Sequence, residues 1–299
     1  MVETFESLFE KAKKNGPKKI AVAVAQDEDV LGAVKLAYEN KIVDPILVGD
    51  EEKIREIAKE LGFDLSDIEV IDEKDGTLAA RKATELVSSG KACVLMKGLI
   101  DTSIIMKQVL DHEIGLRTGN VISHIALFEV PTYHKMFIVT DAAMLIAPDL
   151  NQKKGIIENA VSIAHKLGVE MPKVAVLAAK EKVSEKMEAT VHAKLLKEMN
   201  ERGEIKGCIV DGPFALDNAV SKESARIKGI KSEVAGDADI LLVPDIEAGN
   251  VLYKALTFLA NAKSAGLIVG ARNPIVLTSR ADSEEAKLNS IVLATLMAN

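Results

Sequence analysis

Short apolar runs alternate with amphipathic stretches along most of the chain. Residues 19–25, 45–48, 68–71 and 92–96 are runs of strand length rich in Val, Ile, Leu and Ala. Between them, helical spacing covers about 27–38, then a stretch from Asp50 that Gly62 stops, then one that ends at Gly90. Strand-length runs separated by helical segments build βα units and a largely parallel sheet. Around residue 120 the rhythm changes: 121–130 and 135–141 read as strands joined by Pro131-Thr132-Tyr133-His134, a hairpin or a crossover between domains. The alternation then resumes with a helix over 153–168, a strand over 173–177, a helix over 184–200, a strand over 207–211 and a helix from near Ala215. A strand at 239–243 leads to a helix from Asn250 to about Ala265, stopped by Gly266. Strands at 267–270 and 274–277 precede a last helix that opens at Asp282 or Ser283 and carries Leu288, Ile291, Val292 and Leu296 along one face. No internal repeat or long linker interrupts the pattern.

Composition narrows this picture. At 299 residues and 48% apolar content the chain buries a substantial core, and with 3% aromatics and no Trp that core is made of Ala, Val, Ile and Leu. The net charge of −7, from 45 acidic and 38 basic residues without long single-sign blocks, argues against a nucleic-acid or anionic-membrane surface. Any anion site is therefore a local basic pocket. Cys93 and Cys208 lie far apart within apolar runs and read as buried, inert thiols of a reducing compartment. No apolar stretch is long enough to span a bilayer, and the first residues are acidic and amphipathic, unlike a secretion signal. A soluble cytoplasmic protein is expected.

Candidate chemistry sits where strands run into helices. In 275–290 an apolar strand meets Thr278, Ser279 and Arg280 just before the last helix. Open α/β sheets bind ligands at such corners, where free N–H groups and the helix dipole favour an anion. Arg280 adds a planar donor fork suited to phosphate, and Ser279 a hydroxyl. The structural alternative is an ordinary capping box of Asp282 and Glu285, with Arg280 in a surface pair. A second corner, Met96-Lys97-Gly98-Leu99-Ile100-Asp101-Thr102-Ser103, offers Lys97 as a point charge and Gly98 for close backbone approach, without Walker-loop spacing. Ser123 and His124 are adjacent on a strand and point to opposite faces, so they form no dyad, and His124 reads as a packing residue. His112, His165 and His192 fall on predicted helices with no metal-ligand spacing. Asp211 closes one strand as a turn residue, and the turn from Pro244 through Asp245 to Asn250 closes another, with Asn250 a good cap for its helix.

Taken in order, several motifs resemble the phosphate acetyl/butyryltransferase family along essentially the whole chain. They are Val22-Ala23-Val24-Ala25-Gln26-Asp27, Leu95-Met96-Lys97-Gly98-Leu99, Gly115-Leu116-Arg117-Thr118-Gly119, Ser123-His124 and the run from Lys206 to Pro213. Val234-Ala235-Gly236-Asp237-Ala238-Asp239, the turn from Pro244 to Asn250 and the segment from Val276 to Ser283 complete the set. The last two, with the Lys-Gly corner, look closest to the butyryltransferase branch.

The resemblance implies a two-domain, three-layer α/β/α fold shared with isocitrate and isopropylmalate dehydrogenases. The first domain would take 1–130 plus 282–299 and the second 131–281, with an active-site cleft between them. It also implies a homo-oligomer, a dimer or higher. The implied reaction is butanoyl-CoA plus phosphate giving butanoyl phosphate and CoA, reversibly, with no metal or redox cofactor. The Ser-Arg pair at Ser279 and Arg280 would orient the CoA thiol and hold phosphate. The acetyltransferases place a catalytic aspartate seven residues after that serine, where this chain has Ala286. Asp282, Glu284 or Glu285 would then take the acid/base role, Asp282 first. Lys97, Gly98, Thr102, Ser123, Asp245 and Asn250 would line the substrates. Ala142 stands where acetyltransferases often carry a cysteine, which argues against an acyl-cysteine route. Acetyl and branched acyl groups stay open as substrates. Rival readings are a decarboxylating dehydrogenase of the same fold, for which the metal-binding aspartates and arginine-rich pocket are missing, a non-catalytic CoA-binding module, and transfer from acyl carrier protein.

Overall fold

The computed structural model describes residues 4–279 and 281–298. Arg280, expected to hold phosphate, lies outside the described residues. The chain forms two compact units, one of Phe5–Asn120 with Ala265–Asn299 and the other built on Val121–Ser264.

The first unit opens with α1 (Phe5–Asn15), β1 (Lys18–Ala23), α2 (Glu28–Glu39), β2 (Val43–Gly49), α3 (Glu51–Glu60), β3 (Glu69–Asp72), α4 (Gly76–Ser88), β4 (Val94–Lys97) and α5 (Thr102–Val109). The second contains β5 (Ser123–Glu129), β6 (Phe137–Thr140), α6 (Leu150–Lys166), β7 (Lys173–Leu177), α7 (Glu188–Glu201), β8 (Ile209–Phe214), α8 (Leu216–Val220), α9 (Lys222–Ile227), β9 (Ile240–Leu242) and α10 (Ile246–Leu259). The chain then returns to the first unit through β10 (Lys263–Val269), β11 (Ile275–Val276) and α11 (Glu284–Met297).

In the first unit the strand order is β3-β2-β1-β4-β11-β10. β1 runs parallel to both β2 and β4, β11 runs parallel to β4, and only β10 is antiparallel to its neighbour β11. Ile20, Ala21, Val22 and Ala23 of β1 are all fully buried, as expected of a parallel strand covered on both faces. α11 packs on α1 and α2, and Ser290 within it accepts the Gly266 N–H of β10 at 2.9 Å. This helix is not one-sided: Ile291, Val292, Leu293, Ala294, Thr295 and Met297 are all buried, while Leu288 and Leu296 of the expected apolar face are only partly so.

In the second unit the order is β5-β6-β9-β7-β8, with β5 antiparallel to β6 and the rest parallel. The hairpin of β5 and β6 confirms the change of rhythm near residue 120. In this core Phe128 stacks on Phe137 and meets Tyr253 edge-on, with centroids 5.9 and 5.3 Å apart. At the amino ends of β6, β7 and β9 the Asp237 carboxylate collects Lys173 Nζ at 2.6 Å, His134 Nε2 at 2.7 Å and Lys135 Nζ at 3.2 Å. Burial alone would raise the Asp237 carboxyl, but these bonds outweigh it and hold it well below the ordinary value.

The division of the chain runs differently from the expected 1–130 plus 282–299. Pairing with β6 takes β5 into the second unit, and pairing with β4 takes β11 into the first. Several element ends also differ. α10 begins at Ile246 and stops at Leu259, so Asn250 lies inside the helix and Gly266 lies inside a strand. The helix expected from Ala215 is two short ones, with Ser221 capping the second. His112 lies in a turn after α5, outside any helix. Cys208 is buried, which pushes its thiol up to about 11, whereas Cys93 is half-buried and raised less.

The Asp237 cluster makes a pH-dependent contribution with a definite sign. A carboxyl depressed in the folded state stabilises above its unfolded pKa and loses that contribution as pH falls through the folded one. Asp237→Asn is expected to lower unfolding free energy at pH 7 by about 1–3 kcal/mol. In urea titrations the gap from the native chain should narrow as pH drops below about 4. A gap constant with pH would remove the charge from the explanation.

Candidate active site

The carboxyl ends of β1, β4 and β11 lie side by side, and their turns make the corner anticipated from the sequence. Beyond β4 the chain folds hard against the end of β1. Gly98 N–H donates to Ala23 O and Leu99 N–H to Val24 O, each at 2.8 Å. A Cβ on Gly98 would lie 2.2 Å from Val24 O, so glycine is required here for close approach. Val24 itself adopts φ 56°, an uncommon conformation for a β-branched residue, as β1 turns toward α2. Asp27 caps α2 by accepting the Val30 N–H at 3.0 Å. Lys97, only 6% exposed, donates to Gly98 O at 3.2 Å.

Across the corner, β11 leads through Thr278 to Ser279. The Asp282 carboxylate, buried, accepts the Ser279 N–H at 2.7 Å, while Asp282 N–H donates to Ser279 O at 3.1 Å. The Ser279 hydroxyl oxygen accepts from Ala281 N–H at 3.3 Å, leaving its own proton to give. Ser283 caps α11 through the Ala286 N–H at 3.2 Å. The capping box read from Asp282 and Glu285 is thus replaced: a serine caps the helix and the aspartate braces the turn before it. One turn into α11, Lys287 is buried and bonds both the Asp282 carbonyl and the Asp29 carboxylate of α2. Asp27, Lys97, Gly98, Thr278, Ser279 and Lys287 border a small hollow.

The expected site residues fall into two groups. Lys97, Gly98, Ser279 and Asp282 come together in the first unit, and Thr102 stands nearby as the first residue of α5 without bordering the hollow. Ser123, Asp245 and Asn250 belong to the second unit. There Ser123 is fully buried and accepts from Asn159 Nδ2 at 2.9 Å. His124 packs its ring edge against Tyr253 with centroids 6.2 Å apart, in keeping with a packing role. Asp245, not Asn250, caps α10, accepting the Ala248 N–H at 2.9 Å, and Asn250 is exposed in the helix interior. Asp141 at the end of β6 is buried and accepts the N–H groups of Ala143 and Met144 at 2.8 and 2.9 Å. Gly249 of α10 packs on the Asp141–Ala142 backbone, where a Cβ would come within 2.7 Å of Asp141 O.

Sequence reading misses two buried lysines. Lys153 in the first turn of α6 meets His192 Nδ1 at 3.0 Å, and burial lowers the pKa of both groups. Lys287 is the other. Its signal was available, because it is the one charged residue between Ala286 and Met297. A charge past the first turn of a helix that is otherwise mostly buried needs partners inside the fold.

Sequence comparison assigns the family. A model described as Phosphate acetyl/butaryl transferase matches residues 3–81 and 77–295. The chain belongs to this family. It is 51% identical to a phosphate butyryltransferase of Clostridium beijerinckii over 298 residues, covering 100% of this chain and 99% of that protein. It is 50% identical to a phosphate acetyltransferase of Thermotoga maritima over 293 residues, 98% of this chain and 99% of that one. A crystal structure of a branched-chain phosphotransacylase from Enterococcus faecalis superposes with a TM-score of 0.83 at 35% identity, covering 94% of this chain and 100% of that one. The expected α/β fold of the isocitrate and isopropylmalate dehydrogenase kind is therefore the family's fold, present here.

The Gly98 turn supplies a test of the corner's construction. Gly98→Ala should cost about 1–3 kcal/mol of stability, because the added methyl meets backbone rather than a movable side chain. Urea denaturation measures this, and an unchanged midpoint would show that the two strand ends are not packed as described.

Proposed function

We propose that this chain is a phosphotransacylase that moves a short acyl group, butanoyl first, between CoA and inorganic phosphate. The reading is carried by half-identity over the full chain to a phosphate butyryltransferase, together with the hollow that brings the Ser279 hydroxyl and buried lysines to one corner.

A thioester is already activated, so the reaction asks for placement before anything else. A phosphate oxygen attacks the carbonyl carbon directly, and no covalent enzyme intermediate, metal or redox cofactor is used. Donors in the corner meet the charge that develops on the carbonyl oxygen. Ser279 gives its proton in a hydrogen bond to the departing sulfur, and Arg280 holds the phosphate against the carbonyl. Asp282 is given a positioning role, since its carboxylate is committed to the Ser279 N–H. Lys97 supplies local positive charge in a chain of net charge −7.

A second substrate reading has specific support, because relatives of equal similarity are named for acetyl and for butanoyl transfer. One methylene discriminates by only about 1–3 kcal/mol, so steady-state rates over acetyl-, butanoyl- and branched acyl-CoA decide it. Among the described residues no helix is long and apolar enough to cross a membrane. The reading carries with it a cytoplasmic enzyme of butanoate metabolism, since acyl-CoA is its substrate.

The active form we propose is a homodimer formed through α10. Only Gly249 of this apolar helix is buried, while Val251, Phe258 and Leu259 are 69, 60 and 86% exposed. An apolar stripe with one cation, Lys254, set between Val251 and Phe258 suits a self-complementary contact between identical copies.

Two outcomes test the proposal. Arg280→Ala should lower turnover in a thiol-release assay with butanoyl-CoA and phosphate by about a hundredfold or more with folding intact, the scale of one transition-state donor. A near-native rate removes Arg280 from the mechanism, and the absence of thiol release by the native chain leaves a binding module. Phe258→Glu with Leu259→Glu should convert the dimer to a monomer in light scattering; a native chain already monomeric ends the dimer reading.

A further inference from the structure

α11 is buried along nearly its whole length, so an ammonium on it needs a physical reason. Lys287 is 2% exposed. Its Nζ donates to the Asp282 carbonyl and to Asp29 Oδ2, the latter at 3.2 Å. Those bonds use two of three N–H donors among the described residues, and the side chain borders the hollow beside Ser279, Thr278 and Lys97. As a structural device this is a poor one. Burying an ammonium costs several kcal/mol, and Asp29, with its side chain about half exposed at 53%, is a weakly paired partner. A methionine would fill the same space without that cost.

The neighbouring residues leave a role open. Asp282 is committed to the Ser279 N–H, and Ala286, one turn further on, carries no titratable group. Charged groups nearby come from three places: Asp27 and Asp29 at the start of α2, Lys97 at the end of β4, and Asp282 in the turn before α11.

The geometry points to Lys287 as the group that holds the CoA sulfur as a thiolate, by charge. This rests on the reading that Ser279 faces the sulfur. In the step itself an oxygen of hydrogen phosphate bonds to the carbonyl carbon and the carbon–sulfur bond breaks. The electron pair goes to sulfur, which pairs with the Lys287 ammonium beside the Ser279 hydroxyl. The proton brought by hydrogen phosphate ends on the sulfur as CoA leaves. In reverse, the ammonium lowers the thiol pKa and the thiolate attacks acyl phosphate. An opposite charge within about 4–6 Å lowers an acid by about 1–3 units, against an ordinary thiol near 8.5.

The test measures that thiol. In the direction from butanoyl phosphate and saturating CoA, the native rate should show its inflection about one unit or more below pH 8.5. Lys287→Met should move the inflection up by at least one unit, reducing the rate at pH 7 by about tenfold or more and recovering most of it at high pH. Lys287→Arg, which keeps the charge, should keep the low inflection. A purely structural lysine would instead depress the rate evenly at every pH with the inflection unmoved, which overturns the proposal. Should Lys287→Met fail to fold, ultraviolet titration of the thiolate of CoA bound to the native chain gives the same answer, and an unshifted bound thiol overturns it equally. Ser279→Ala separates the two layers. A loss of rate there with an unshifted thiol rejects Lys287 alone, and an unchanged rate rejects the placement of sulfur at this corner.

Discussion

A single buried carboxylate, Asp282, decides the shape of the turn between β11 and α11. By accepting the Ser279 N–H it fixes the serine on one side, while its own carbonyl receives the Lys287 ammonium on the other. Remove that brace and neither the hydroxyl nor the ammonium has a reason to face the hollow. The remaining pieces are arranged to present this turn. The Gly98 backbone lies against the end of β1, Asp27 caps α2 at the same rim, and Ser290 ties α11 to β10. Such a corner is stiff because its polar atoms are paired inside the unit, which is what a reaction governed by placement requires.

Charge is handled locally. A chain with seven excess negative charges buries two lysines in one corner, and on the proposed reading these, and not a broad basic surface, attract its anionic substrates. Buried ammoniums keep their strength because little water screens them, and the carboxylates at the start of α2 and α11 keep them from repelling one another. The composition that argued against a nucleic-acid surface is the same that called for such a pocket.

Much of this was legible beforehand. β1, β2 and β4 fall within a few residues of the apolar runs, because a parallel strand covered on both faces leaves an uninterrupted run; β3 is close to its run too, and Gly62 and Gly90 do close the following helices. The corner of Lys97, Gly98 and Ser279 was found from strand ends and turn chemistry. What failed was choice between equivalent residues. Asp282 and Ser283 can both cap a helix, and so can Asp245 and Asn250; only tertiary contacts decide which does. The end of α10 was misplaced because Gly266 looked like a stop, whereas the chain turns at Ala260 to Ala262 with Asn261 at φ 51°. Lys287 was passed over because helical periodicity assigns charged residues to solvent, and this helix has almost no solvent face.

The return of the chain through β11 and α11 has a consequence for how the molecule is made. β11 sits beside β4, and α11 covers α1 and α2, all of which emerge from the ribosome long before. The half of the molecule that is begun first is therefore completed last, after the intervening half has been synthesised. Until then the newborn sheet lacks a neighbour for β4 and a cover for its first helices, so apolar surface waits for the carboxyl terminus to arrive. Because the same closing segment carries Ser279, Asp282 and Lys287, a polypeptide released early would forfeit this polar corner and its finished core together.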